Sequence, residues 1–212
     1  MRIKLIFLSL FFLVVFTAFS YSVAKENWQK TDFDSTVKLQ DHISRKWDPL
    51  FSYFSLLGSA EVTVGVSLML AFLALIRLRW LAVLGWLAIL PASLVEVFGK
   101  LVLYHPGPPV LFHRSLLPTS LPSFYVHTDF SYPSGHMTRT AFLLTVFLMI
   151  ALFSWKESVI KIITIIMIIL IALMMALTRI YLGEHWLSDV VGGGLLGLSF
   201  GLLAGTLILK RI

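Results

Sequence analysis

The 212-residue chain is 58% apolar with a mean hydropathy of +0.90, well above the roughly 45–50% apolar content of soluble domains, so an ordinary soluble globule is excluded. Cysteine is absent, which rules out a disulfide framework and a thiolate metal site. The formal charge of +6 would suggest a polyanionic partner in a soluble protein, but here the membrane orientation accounts for the excess, and no nucleic-acid partner is implied.

Windows of about 20 apolar residues, enough to cross about 30 Å of hydrocarbon, fall near 4–23, 56–76, 80–103, 136–154, 158–178 and 186–209. They predict an all-α polytopic membrane protein, a six-helix transmembrane bundle forming a single domain over 1–212. Residues 1–24 read as the first spanning helix. Ser22, Val23 and Ala24 before Lys25 also resemble a signal-peptidase site after a short basic start, yet the segment's length and the even helix count favour an uncleaved span. Residues 25–55 form the most polar stretch, an extracytoplasmic linker in which 35–43 carry apolar side chains at mixed helical spacing. A short amphipathic helix on the membrane surface fits that pattern, as does a solvated connector. Residues 56–212 are the expected catalytic bundle.

Lysine and arginine in short loops stay on the cytoplasmic side. With six spans, one face receives Arg2, Lys4, Arg77, Arg79, Lys156, Lys161, Lys210 and Arg211, opposed only by Glu157. That face is expected to be cytoplasmic, with both termini on it. His42, His105, His113, His127, His136 and His185 all fall on the opposite face, so their chemistry is expected outside the cytoplasm. The connection at about 104–135 holds prolines 106, 108, 109, 118, 122 and 133, which remove amide donors and disfavour helix. It reads as an irregular cap over the helix ends, with Phe112, Phe124, Tyr125, Phe130 and Tyr132 suited to the interface.

Chemistry concentrates in three stretches at this outer boundary, where ionisable groups are costly and mark function by default. Glu96 and Lys100 stand four apart at the end of the third span and share a helix face, with His105 and Pro106 just beyond. Pro133, Ser134, Gly135 and His136 run directly into the fourth span. Ser134 suits an N-cap there, and the first amides and the positive end of the helix dipole suit an anion. Ordinary capping accounts for the same residues. Arg139 lies three positions after His136 on nearly the same face and needs an anionic partner, either the bound ligand from a supporting position or Asp129 or Glu96.

The third stretch, Arg179, then His185, then Asp189, combines a bidentate oxyanion donor with an imidazole and a carboxylate spaced i,i+4. That spacing lets Asp189 accept the proton-bearing nitrogen of His185, leaving the other nitrogen as nucleophile or base. A zinc site is the competing reading of a histidine and an aspartate at this spacing. Lys100 and Arg179 oppose it, since converging cations repel a metal and attract an anion. No metal and no cofactor is therefore expected.

Together the three stretches resemble the type 2 phosphatidic acid phosphatase (PAP2) superfamily of membrane lipid phosphatases. Its pattern has a lysine followed by an arginine–proline pair, a PSGH block, then serine–arginine, five residues, histidine, three residues, aspartate. The PSGH block at 133–136 matches completely, Arg179, His185 and Asp189 keep the spacing, and the likeness runs from about residue 56 onward. Two positions depart: His105 stands where the family has arginine, losing the fixed charge and fork of a phosphate clamp, and Thr178 replaces serine.

The resemblance implies metal-independent hydrolysis of a lipid phosphate monoester or diphosphate through a phosphohistidine. His185, oriented by Asp189, attacks phosphorus, and His136 protonates the leaving oxygen and then activates water. Lys100, Arg179, Ser134 and Gly135 hold the phosphate oxygens, with His105 and Arg139 as further candidates. The implied partners are the bilayer and a membrane lipid phosphate, such as undecaprenyl diphosphate or phosphatidylglycerophosphate. Phosphotransfer to another hydroxyl and non-catalytic phospholipid binding or transport remain alternatives, and the oligomeric state is open.

Overall fold

The computed structural model describes residues 2–117 and 130–209. Pro118, Pro122, Phe124, Tyr125, His127, Asp129, Lys210 and Arg211, which figure in the sequence expectations, lie outside them. All regular structure among the described residues is helical: α1 (Arg2–Ala24), α2 (Gln29–His42), α3 (Asp48–Ser55), α4 (Ala60–Ile76), α5 (Trp80–Leu87), α6 (Ile89–Val102), α7 (Gly135–Ser154), α8 (Val159–Tyr181) and α9 (Leu187–Ile208), with short 3-10 turns between some of them. Six segments are long and apolar enough to cross a membrane: Arg2–Ala24, Arg45–Ile76, Trp80–Val102, Gly135–Ser154, Val159–Tyr181 and Leu187–Ile208. The protein is a multi-span membrane protein.

Two spans are less regular than the hydropathy suggests. The second begins well before residue 56: α3 leads through a 3-10 turn at Leu56–Gly58 into α4, whose cap is Ser59, accepting the Val62 amide at 3.3 Å. The third divides at Ala88 between α5 and α6. Pro91 has no amide to give the Leu87 carbonyl one turn back, so the ladder breaks there. The polar linker also carries a longer helix than expected, α2.

The centre of the bundle is the α7–α9 pair. Glycines 193, 197, 201 and 205 of α9 recur every four residues and form a strip without side chains. A Cβ at Gly193 would stand 2.4 Å from the Ser134 carbonyl and one at Gly197 2.2 Å from that of Thr138, so the helices approach backbone to backbone, as small residues permit in membranes. On another side of α9, Ser9 Oγ donates to the Ser199 carbonyl at 2.8 Å and Ser199 Oγ to that of Ser9 at 2.9 Å, joining α1 to the bundle. Each hydroxyl is thus satisfied by the other serine's carbonyl where no water is at hand. The exposed isoleucines and leucines of α8 and the outward face of α1 are the surfaces suited to lipid.

Candidate active site

Lys100, His136, Arg179, His185 and Asp189 come from α6, α7, α8 and the start of α9, and they meet at one end of the bundle. Ser134 sets the register there. Its amide donates to the Asp189 carbonyl at 3.0 Å and its hydroxyl caps α7, 3.5 Å from the Met137 amide, so the starts of α7 and α9 are tied together. Gly135 sits against the Glu96 carboxylate, where a Cβ would approach to 2.5 Å. Gly58, in the turn between α3 and α4, leaves room for the His136 ring, whose Cδ2 would lie 3.1 Å from a Cβ at that position.

Asp189 is fully buried. Its Oδ2 accepts the Trp186 amide at 2.9 Å and lies 3.2 Å from His185 Nδ1. With the proton on Nδ1, His185 presents an unprotonated Nε2. Burial first, then the Arg179 and Lys100 cations, hold the His185 pKa well below the ordinary 6.5, which keeps that nitrogen's lone pair available. His136 is buried too, and its Nε2 has no hydrogen-bond partner among the described residues. Arg179, Arg139, His185 and Lys100 all lie within electrostatic reach of its ring.

The cations come with carboxylates. Glu96, 3% exposed, is bonded to Lys100 Nζ at 2.6 Å and to Arg139 Nη1 at 2.8 Å. Of the two protein partners proposed for Arg139, Glu96 is bonded to it, while Asp129 lies outside the described residues. Arg179 donates to Ser55 Oγ and to the Glu184 carboxylate, while its Nε and that of Arg139 have no hydrogen-bond partner among the described residues. Buried polar groups are nearly always satisfied, so unspent donors beside two imidazoles mark a place for an anion. No three histidine, aspartate or glutamate side chains among the described residues are placed to hold a metal ion.

His105 is elsewhere. Its Nε2 lies 3.1 Å from Ser188 Oγ, 3.4 Å from Asp189 Oδ1 and 3.8 Å from Asp32 Oδ2, behind the aspartate and turned to carboxylates. Asp32, Ser55, Glu184 and Ser188 all touch site residues and were not singled out from sequence. Glu184 adjoins His185 and could have been suspected. Asp32, 156 residues from its partner Ser188, left no local signal.

The helical bundle has the fold of solved membrane proteins. A family model, the PAP2 superfamily, matches residues 79–212. The chain belongs to the PAP2 superfamily. The model begins later than the likeness read from sequence, leaving α1 to α4 outside the match. The crystal structure of a transmembrane PAP2-type phosphatidylglycerolphosphate phosphatase from Bacillus subtilis aligns over 92% of this chain and 93% of that one, with 21% identity and a TM-score of 0.70. LpxE from Aquifex aeolicus aligns over 82% and 94%, with 22% identity and a TM-score of 0.60. No curated protein sequence matches the chain significantly. At such identities the two structures speak for the PAP2 membrane fold, and the family match supports a phosphatase.

Proposed function

We propose that this PAP2 protein is a metal-independent lipid phosphatase, hydrolysing a lipid phosphate monoester or diphosphate at the outer membrane boundary through a phosphohistidine. The observation that carries the reading is the pairing of His185 Nδ1 with buried Asp189 beside His136 and the open donors of Arg139 and Arg179. Binding alone needs the cations; an imidazole with a fixed tautomer adds a nucleophile.

In the first step His185 Nε2 attacks phosphorus and the bond to the leaving oxygen breaks. That oxygen takes a proton from His136. In the second step His136 accepts a proton from water, the oxygen of that water attacks phosphorus, and the P–N bond breaks to release phosphate. Lys100, Arg179 and the first amides of α7 hold the nonbridging oxygens, supplying the positioning and charge stabilisation on which phosphoryl transfer mainly depends. Substrate binding exchanges the carboxylates of Glu96 and Glu184 for phosphate oxygens as partners of these cations.

In this reading the basic loops Arg77–Arg79 and Lys156–Lys161 face the cytoplasm, with both termini inside and the site outside. In the domain reading, residues 1–212 form one unit, with α1 the first span and α2 in the extracytoplasmic connection that follows it. Undecaprenyl diphosphate and phosphatidylglycerophosphate are the substrates to test, with phosphatidic acid as the generic comparison. Purified protein in detergent should release inorganic phosphate from at least one of them. Release should survive EDTA, be inhibited by orthovanadate, and fall by on the order of a thousandfold or more in His185→Ala. Wild-type turnover in that variant overturns the mechanism, and a phosphorylated acceptor without free phosphate assigns transferase chemistry instead.

A further inference from the structure

We propose that Asp32 and His105 are positioning residues of the site: together with Ser188 they hold Asp189 from behind, so that the outer helix α2 is a working part of the catalytic apparatus. The proposal rests on the reading of His185 as nucleophile. Asp32 lies in a segment that the family match does not reach.

Asp32 is 1% exposed, although it belongs to the most polar stretch of the chain. Both of its oxygens are engaged by one residue of α9: Oδ1 accepts the Ser188 amide at 2.8 Å and Oδ2 the Ser188 hydroxyl at 2.7 Å. Asp32 therefore takes up an amide in the first turn of α9, where helix donors lack internal partners and a carboxylate is favoured by the dipole. The residue it grips is the immediate neighbour of Asp189.

His105 completes the assembly. Ser188 Oγ spends its proton on Asp32, so toward His105 Nε2, 3.1 Å away, it is an acceptor. The same nitrogen is 3.4 Å from Asp189 Oδ1. An Nε2–H on His105 thus faces the hydroxyl, and Asp189 Oδ1, which has no hydrogen-bond partner among the described residues, lies within electrostatic reach of the ring. The His105 carbonyl is held in turn by the Ser131 amide and hydroxyl, each at 3.0 Å. Asp189 stands between two imidazoles, hydrogen-bonded through Oδ2 to His185 and with Oδ1 3.4 Å from His105 Nε2. An arginine placed as His105 is, between Asp32 and Asp189, would be spent on carboxylates; the shorter imidazole fits that gap and contributes a donor without a permanent charge.

The test uses full-length protein in dodecyl maltoside, with dioctanoyl phosphatidic acid as substrate and orthovanadate as a probe of the anion pocket. Asp32→Asn and His105→Gln should each lower kcat tenfold or more, while KM and the vanadate inhibition constant stay within twofold. The double variant should be no slower than the worse single one, because both act through Asp189. Ser188→Ala, which removes the shared hydroxyl but no charge, should lower kcat severalfold and serves as partner to His105→Gln if Asp32→Asn does not stay monodisperse. A vanadate constant raised tenfold by His105→Gln but not by Asp32→Asn makes His105 a phosphate clamp and overturns the proposal, as do multiplicative losses in the double variant. If His185→Ala abolishes turnover while Asp32→Asn and His105→Gln match wild type, this inference alone fails. If His185→Ala matches wild type, the phosphohistidine reading has failed beneath it.

Discussion

The two ends of the bundle are both rich in cations and treat them differently. At the end away from the histidines, Arg2 Nη2 donates to the Leu209 carbonyl at 2.8 Å and Arg79 Nη2 to that of Ile208 at 2.7 Å. These arginines cap the C-terminus of α9, where carbonyls lack helical partners and the dipole favours positive charge. At the histidine end, Lys100, Arg139 and Arg179 meet carboxylates, with imidazoles between them. Cationic charge therefore does not distinguish a site from a helix cap. Buried imidazoles and unspent guanidinium donors do.

Substitutions can break that contrast. The largest effect after loss of the nucleophile should come from His136→Gln, with kcat for phosphate release down by about 10²–10⁴ and the protein still folded; a loss below threefold would remove His136 from proton transfer. Arg179→Lys should cost about 10- to 100-fold in kcat/KM, since an ammonium cannot serve Ser55, Glu184 and a phosphate with one planar fork. Arg79→Gln, at the opposite end, should leave kcat/KM within twofold and lower the thermal midpoint in detergent, a charged hydrogen bond contributing about 1.5–3 kcal/mol. A large catalytic loss there at unchanged stability would erase the distinction between the ends.

The smallest predicted effect is on stability against pH. Burial pushes the Asp32 carboxyl up from its ordinary 3.8 to about 6. The folded protein therefore keeps a proton that the unfolded chain has released between these values. This residue's stabilising contribution is full below 3.8 and is lost as pH rises through about 6. His105, whose pKa burial pushes down, has the opposite dependence and is common to both proteins. The thermal midpoint of Asp32→Asn relative to wild type should thus rise by a few degrees between pH 4 and pH 7. Parallel curves would mean that Asp32 carries no such penalty.

The sequence made the spans legible because length and hydropathy are what a bilayer demands, and the PSGH block and the Arg179, His185, Asp189 spacing were legible because helix geometry fixes what neighbours at i and i+4 can do. The partners of these residues were not. Asp32 and Ser55 reach the site through the packing of separate helices, which no local spacing encodes. His105 illustrates the limit well: its place in the motif suggested the phosphate, whereas its place in space faces Asp189. The break at Ala88 was foreshadowed by Pro91, which sits inside a hydropathy window that averages over it.

The strip of glycines along α9 has a consequence for precision. Because α7 and α9 touch main chain to main chain, with Ser134 bonded to Asp189, His136 and Asp189 are mounted on what is mechanically a single beam. The separation between His136 and Asp189 is set by residues that have no side chains, and enlarging any of them would shift that separation without touching either residue.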